Sequence, residues 1–130
     1  MINSDVFNYV NILNKAADAT WTRGKLLVNN LANVSTPGFK RQDIEFQSYL
    51  ANALQQGAGT LDKKVAGVNL ESIQPTIYTD NANLSYKLDG NNVDIDTESA
   101  NVAENQITNS ALLEAMTQEF SRIRTALSNA

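Results

Sequence analysis

The sequence contains no cysteine and no histidine among its 130 residues. Without cysteine the chain has neither a disulfide nor a thiolate metal site. Without histidine it lacks the commonest general base and the commonest transition-metal ligand. Aromatic residues make up only 7% of the chain and prolines number two, so the sequence predicts one domain with a thin core that needs partners. We therefore expect no enzyme activity and no cofactor.

Charge and hydropathy argue against two further classes of protein. The formal net charge of −4 gives no general attraction to nucleic acid or to anionic lipid. No run of about 18 apolar residues is present to cross a bilayer. Asparagines interrupt the first residues, where a signal peptide would carry its apolar core. The sequence therefore predicts no nucleic-acid partner, no direct membrane insertion and no cleaved signal peptide.

A stripe of mostly apolar residues runs through the first quarter of the chain. Its members alternate spacings of three and four, which predicts a helix with a narrow coiled-coil seam. Thr20 and Gly24 weaken the middle of this helix, the glycine by about 1 kcal/mol relative to alanine. The stripe comprises Val6, Val10, Leu13, Ala17, Thr20, Gly24, Leu27, Leu31 and Val34.

The C-terminal segment repeats this pattern. Asp94, Asp96 and Glu98 supply hydrogen-bond acceptors and negative charge where the first amides of a helix are unpaired. One helix is therefore predicted from about Asp94 to the C-terminus. Its stripe comprises Val102, Gln106, Asn109, Leu113, Met116, Phe120, Ile123 and Leu127.

Two long helices at opposite ends of a small chain bury their stripes most economically against each other. We expect a mainly α fold in which helices within residues 1–36 and 94–130 pair as an antiparallel coiled coil. Residues 37–93 then form a small irregular and β-containing middle segment. Because polar residues dilute both stripes, burial does not clearly offset the cost of ordering the helices, and we expect them to order on assembly. The expected seam comprises Val10, Leu13, Leu27, Leu31, Leu113, Met116, Phe120, Ile123 and Leu127.

The middle segment loses the helical period after about Leu54. The stretch QQGAGTLDKKVAG mixes glycine, small residues and charge, which is typical of a loop or mobile segment. The stretches TIYTD and LSYKLDG alternate apolar and polar residues on either side of the turn formers DNAN, which favours a short β-hairpin.

The stretch NNLANVSTPGFKR predicts an abrupt end to the first helix. Asn33 is expected to adopt the left-handed conformation that closes a helix. The proline after Thr36 favours extended geometry there, while Pro37 and Gly38 suit the two central positions of a type II turn. Phe39 would then fold back onto the helix end. Taken alone, these residues indicate a helix stop and no particular function.

Longer stretches around this turn resemble a known family. RGKLLVNNLANVSTPGFKRQDIEFQSYL resembles the N-terminal signature of flagellar basal-body rod and hook proteins, with its core N-(I/L)-A-N-x-x-T-P-G-(Y/F). KRQDIEF and the later GNNVDIDTESANVAENQI are similar to proximal-rod subunits in particular, although Ser99 stands where the family often has methionine. The residues to which the resemblance assigns a role in assembly are Asn30, Leu31, Ala32, Asn33, Thr36, Pro37, Gly38, Phe39, Asp43, Phe46, Asn92, Val93, Asp94, Asp96, Glu104 and Asn105.

The resemblance implies a structural subunit of the bacterial flagellar proximal rod. Such axial proteins pair their terminal helices in a coiled coil, the D0-like arrangement, and polymerise helically into the tubular drive shaft and export channel. The implied partners are further copies of the chain, other rod subunits, the adaptor FliE, the MS ring and the flagellar type III export apparatus. The implied location is the periplasmic rod of the basal body, reached without cleavage of a signal peptide.

Other interpretations of single features are weaker. Asp94 and Asp96 could form an acid pair, but helix capping explains them better. NVDIDTESANVAE resembles a calcium loop, yet Thr97 replaces the turn glycine and Ala103 stands where a bidentate glutamate is required. Arg41 with its neighbouring lysine suggests a solvated turn more than nucleic-acid stacking. The serious alternatives are a cytoplasmic coiled-coil adaptor and another axial subunit of the rod and hook family.

Overall fold

The computed structural model describes residues 5–84 and 87–130. A short 3-10 helix, Asp5–Phe7, leads into the first α-helix. The first and last α-helices hold 25 and 34 residues, or about 37 and 51 Å at the usual rise per residue. A mainly helical chain with two long terminal helices is therefore confirmed. The elements in chain order are α1 (Asn8–Ala32), β1 (Gln42–Glu45), α2 (Gln47–Gln56), α3 (Leu61–Ala66), β2 (Thr76–Thr79) and α4 (Ile95–Ser128).

The two terminal helices pack against each other. Near the end of α1, the Asn30 side chain donates a hydrogen bond to Glu98 in the first turn of α4. Further back in α1, the Thr20 hydroxyl donates to the side-chain oxygen of Asn109 over 3.0 Å. Later residues of α1 thus contact earlier residues of α4, so the two helices run in opposite directions.

Local signals fix the start of α4 as the sequence predicts. The Asp94 side chain accepts hydrogen bonds from the amides of Asp96 and Thr97, at 2.9 and 3.2 Å. These bonds satisfy amides that have no partner within the helix and place negative charge at its positive end. The predicted capping role of Asp94 is confirmed.

The end of α1 differs from the prediction. Asn33 has φ −105° and is therefore not in the left-handed region. Instead, its side-chain nitrogen donates to the carbonyl oxygen of Asn29 over 2.8 Å, while its own amide shares the carbonyls of Asn29 and Asn30. Because the side chain satisfies one of the last carbonyls, the helix ends without a left-handed residue.

The contact face of α4 is rotated relative to the predicted seam. Leu113, Phe120 and Leu127 are 51%, 49% and 73% exposed, whereas Met116 and Ile123 are half-buried. The contact face instead includes four polar residues, two of them buried, and apolar periodicity does not find such positions. The residues on that face are Glu98, Val102, Asn105, Asn109, Leu112, Met116, Glu119 and Ile123.

Helix α1 is covered on more than one side. Of its predicted seam residues, Val10 and Leu27 are buried, and Leu13 and Leu31 are half-buried. A cluster of apolar side chains also covers α1 from the middle segment. That cluster comprises the buried Ala16, Ala19, Phe46 and Ile73, with Leu50, Ala53, Val68 and Leu112 packed around it.

The middle segment contains more regular structure than predicted. QQGAGTLDKKVAG includes α3, whose Val65 is buried, so the expectation of a structureless loop is wrong there. The predicted strand in TIYTD forms as β2, but it pairs antiparallel with β1, matching Ile77 to Ile44. The proposed hairpin partner LSYKLDG includes Ser85 and Tyr86, which lie outside the described residues, and the remainder of that stretch forms no strand.

The chain that follows β2 is held by Asn92. The side-chain nitrogen of Asn92 donates to the carbonyls of Asp80 and Ala82, at 2.6 and 3.0 Å. These contacts hold the chain after β2 against the segment before α4. Within the described residues, no helix combines the length and the hydropathy that a membrane crossing requires.

Candidate assembly site

The turn after α1 has the predicted geometry. Gly38 has φ +71°, and the amide of Phe39 donates to the carbonyl of Thr36 over 3.2 Å. Pro37 and Gly38 therefore occupy the central positions of a type II turn. The amide of Gly38 also donates to the carbonyl of Asp89 over 2.8 Å, which joins the turn to the loop before α4.

Asn91 clamps this turn onto the end of α1. Its side-chain nitrogen donates to the carbonyls of Asn33 and Thr36, both at 2.8 Å, and to that of Val34 at 3.1 Å. Its side-chain oxygen accepts from the amide of Val93 over 2.7 Å. Asn91 is 1% exposed, so one buried amide side chain holds three carbonyls of the segment that follows the helix.

Asn92 makes a second clamp beside the first. Its side-chain oxygen accepts from the amide of Arg41 over 2.7 Å, and its own amide donates to the carbonyl of Phe39 over 3.2 Å. Together with its contacts to the chain after β2, these bonds tie two segments, the turn after α1 and the chain after β2, to the start of α4. The adjacent asparagines thus position the whole turn from one short loop.

Asn30 joins α1 to both β1 and α4. Its side-chain amide exchanges two hydrogen bonds with the backbone of Gln42, at 2.8 and 3.0 Å, as a neighbouring strand would. The same nitrogen donates to the carboxylate of Glu98 over 3.1 Å. Asn30 is fully buried, and its burial leaves no water to replace these partners.

We call the place where α1, β1 and the start of α4 meet the joint. It comprises Arg23, Asn30, Arg41, Asp43, Asn91, Asn92 and Glu98. A buried ionic network lies at this joint. Glu98 is 0% exposed, and its carboxylate accepts from the guanidinium of Arg41 as well as from Asn30. A second guanidinium nitrogen of Arg41 donates to Asp43 over 3.0 Å. Burial alone lowers the pKa of Arg41, but the hydrogen bonds to Glu98 and Asp43 outweigh it and raise that pKa. Arg41 therefore stays charged, and the interpretation of this arginine as part of a solvated turn is wrong.

Asp43 connects the network to the middle of α1. Its carboxylate accepts from Arg23 over 2.9 Å, from Arg41, and from the amide of Ile44 over 2.8 Å. Burial alone raises the pKa of Asp43, but hydrogen bonds from Arg23, Ile44 and Arg41 outweigh burial and lower that pKa. Asp43 is thus held as a carboxylate between two guanidinium groups.

The lowered pKa of Asp43 predicts acid sensitivity of the joint. Its contribution to folding is fully present above the unfolded-state pKa of about 4 and is lost as the pH falls through the lower folded-state pKa. We expect urea unfolding to show wild-type stability falling between pH 5 and pH 2 by more than that of Asp43→Asn. Equal pH dependence in the two proteins would contradict this role.

A groove of about 580 Å³ separates α1 from α4 above this joint. Asn105 lies at its floor, 6% exposed, and donates to the carbonyl of Thr20 over 2.9 Å. A Cβ at Gly24 would lie 3.2 Å from the Asn105 side-chain nitrogen, so the glycine that dilutes the stripe gives the asparagine room. The side-chain oxygen of Asn105 has no hydrogen-bond partner among the described residues. Trp21 and Val28 form the outer rim.

The structure divides the sequence-predicted assembly residues into three groups. Those buried at the joint or beside it are Asn30, Asp43, Phe46, Asn92, Val93 and Asn105. Those half-buried are Leu31, Asn33, Phe39 and Asp94. Those exposed are Ala32, Thr36, Pro37, Gly38, Asp96 and Glu104. The exposed tip of the turn is therefore held by a buried base.

Sequence reasoning missed four residues of this joint. Asn91 was available as the first asparagine of GNN, but a buried clamp cannot be distinguished from a turn former by type alone. Glu98 was assigned only to helix capping, and Arg23 and Arg41 were not paired with carboxylates. The arginines and the carboxylates lie in distant segments of the sequence, and they come together only when the chain folds.

The charged groups of the joint are already paired with one another. Across residues 5–84 and 87–130, no group of three or more histidine, cysteine, aspartate or glutamate side chains is placed to hold a metal ion. The carboxylates of Asp43 and Glu98 are already neutralised by arginines. The arrangement fixes the relative position of α1, β1 and α4, which is a mechanical role.

Comparison with known proteins decides the family. No model of a protein family matches the chain, but individual proteins do. The chain is 30% identical over 133 residues to the flagellar basal body rod protein FlgB of Bacillus subtilis, covering 98% of this chain and 95% of that protein. It belongs to the FlgB family of flagellar basal body rod proteins.

Other FlgB proteins from distant bacteria agree. FlgB of Borrelia hermsii is 31% identical, with 88% of this chain and 91% of that protein covered. FlgB of Escherichia coli is 31% identical, with 75% of this chain and 77% of that protein covered. The resemblance found in the sequence is thus confirmed. As a FlgB-family member, the chain is a structural protein of the flagellar basal body.

Proposed function

We propose that this FlgB-family chain is a subunit of the proximal rod and polymerises through its terminal helices into the tubular drive shaft and export channel. In the assembled rod, α1 and α4 form an antiparallel coiled coil of the D0-like type. The opposite directions of the two helices support this arrangement, since Asn30 contacts Glu98 and Thr20 contacts Asn109.

One observation carries the proposal most strongly: α4 is fully buried only near its start, and one apolar face of its second half is exposed. Its buried residues are Glu98 and Asn105, and the heptad-spaced Leu113, Phe120 and Leu127 are exposed. Exposed apolar ridges are costly in water unless another surface covers them. Neighbouring subunits in a tube supply such surfaces.

The exposed surfaces leave room for the partners that the family resemblance implies. The proposed contacts are with further copies of the chain, with other rod subunits, with the adaptor FliE and with the MS ring. We propose that the family motif contacts a neighbouring subunit through the exposed tip of its turn, at Thr36, Pro37 and Gly38. We also propose export by the flagellar type III apparatus without signal cleavage, and a final location in the periplasmic rod.

Deletion of the gene tests the function. The mutant cell is expected to keep its membrane-embedded MS ring but to lack rod and hook, and the cloned gene should restore both. Electron microscopy of isolated basal bodies measures this directly. A cytoplasmic coiled-coil adaptor would not stop assembly at that stage, so intact rods in the deletion strain would reject the proposal.

Replacing Gly38 with valine tests the turn within that function. A Cβ at Gly38 has no heavy atom within 4 Å, so the effect comes from the positive φ, which a β-branched residue strongly disfavours. We expect Gly38→Val to be expressed and exported yet to lose motility. Gly38→Asn is the matched control, because asparagine tolerates this conformation, and it should swim. Normal motility of the valine strain would reject the role of the turn.

A further inference from the structure

The pair formed by α1 and α4 has two exposed apolar surfaces that complement each other. The first is the groove between α1 and α4, whose rim includes Trp21 and Val28, 63% and 59% exposed. The second is the ridge formed by Leu113, Phe120 and Leu127. We name them the groove and the ridge. We propose that the ridge of one copy docks in the groove of a second copy, and that this contact repeats from copy to copy.

The chain cannot fill its own groove with its own ridge. Both features include α4: its residues Val102, Gln106 and Asn109 form one wall of the groove, and the ridge lies further along the same rigid helix. A helix that forms a wall cannot also lie against that wall. The middle segment is also committed elsewhere, since Phe46 and Ile73 pack on Ala16 and Ala19. The ridge that enters the groove must therefore come from another copy.

The two features match in spacing. Trp21 and Val28 are seven residues apart on the groove, and so are successive ridge residues. Seven residues of helix span about 10.5 Å, so large side chains on both surfaces recur at the same interval. Equal apolar repeats are what allow helices to interdigitate along their length.

Charged and polar groups around the groove are also compatible with a docked ridge. Lys25 lies over the ring of Trp21, 5.3 Å from its centre, which places a positive charge at the rim. Glu114 is exposed beside Leu113, and Arg124 is exposed between Phe120 and Leu127, so charge favours the docked position that brings Glu114 near Lys25 and keeps Arg124 away from it. The side-chain oxygen of Asn105 still lacks a hydrogen-bond donor, and a polar side chain flanking the ridge can supply one.

The geometry allows two kinds of contact, which differ in their consequences. If a two-fold axis relates the copies, each ridge fills the other groove and the contact closes as a dimer. If the copies are displaced in one direction, each copy keeps one ridge or one groove free, and the assembly extends. Our proposal is the second arrangement. It rests on the proposed rod function, which needs subunits that add without closing.

Cross-linking separates these arrangements, because the chain has no native cysteine. Val28→Cys and Leu113→Cys are introduced together into the full chain, so that Phe120 is kept, and the chain is treated with a short bifunctional maleimide at high protein concentration and again within isolated basal bodies. A ladder of linked multimers is the expected result. Linked dimers alone would overturn the repeating contact, and monomers alone in both preparations would overturn the contact itself.

Two matched variants control the experiment. Ala111 is exposed on α4, roughly opposite the ridge, so Val28→Cys with Ala111→Cys should give no ladder. Adding Phe120→Glu to a chain with Val28→Cys and Leu113→Cys should lower the multimer yield about tenfold or more, because a buried aromatic contact is lost. Ala111→Glu in the same chain should leave the yield unchanged. Rod assembly that continues without any ladder would reject this interface but leave the rod function standing.

Discussion

Replacing Glu98 with alanine is expected to destabilise the folded chain by about 2–4 kcal/mol, because buried hydrogen bonds to its carboxylate are lost. The guanidinium of Arg41 is mostly buried, and in the variant it keeps only its contacts to Asp43 and Asp80. Asn30 also loses an acceptor. Urea unfolding followed by circular dichroism measures the loss, which should appear as a large fall in the unfolding midpoint.

Glu119→Ala is the matched control for this prediction. Glu119 lies on the same helix and also pairs with an arginine, at 2.8 Å, but that Arg122 side chain is 77% exposed. Exposed pairs contribute about 0–1 kcal/mol, so the control should lie close to wild type. If the two alanine variants lose similar stability, the buried joint is not what holds α4 in place.

Replacing Asn91 with alanine is expected to destabilise the chain by about 2–4 kcal/mol, since four hydrogen bonds between one buried side chain and the backbone are lost at once. The carbonyls of Asn33, Val34 and Thr36 lose a donor, and the amide of Val93 loses an acceptor. The end of α1 should fray, and the turn after it should lose its fixed position. Urea unfolding gives the stability, and amide exchange at the end of α1 gives the local effect.

Asn83→Ala provides the comparison for Asn91. The side chain of Asn83 is exposed and accepts a hydrogen bond from Lys40 over 3.1 Å. Surface substitutions of this kind usually change stability by less than about 0.5 kcal/mol. An Asn91→Ala variant that unfolds like Asn83→Ala would show that the clamp does not determine the turn.

Local signals explain why part of this structure was predictable. The terminal helices follow from apolar period, the cap at Asp94 from its position before that period, and the type II turn from Pro37 and Gly38. Each of these features depends on residues that are close to one another in the sequence. The family motif lies in this local part, which is why the sequence alone indicated the family.

The parts that were not predictable depend on residues far apart in the chain. The register of α4 is set by Glu98 and Asn105, whose polar side chains are buried because partners from α1 and the turn after it surround them. Apolar periodicity therefore pointed to a neighbouring face, the ridge. Similarly, β2 pairs with β1, which comes far earlier in the chain, and Asn92 holds the chain after β2 from a position just before α4.

The central claim is that the helix pair is fixed at the joint and completed elsewhere by other copies. Amide hydrogen exchange, measured on the free subunit and on assembled rods, tests this claim most directly. We predict slow exchange in both states for residues 27–32 and 98–105, with exchange in residues 112–128 rapid in the free subunit and slow only in rods. Strong protection of residues 112–128 in the free subunit would contradict the account.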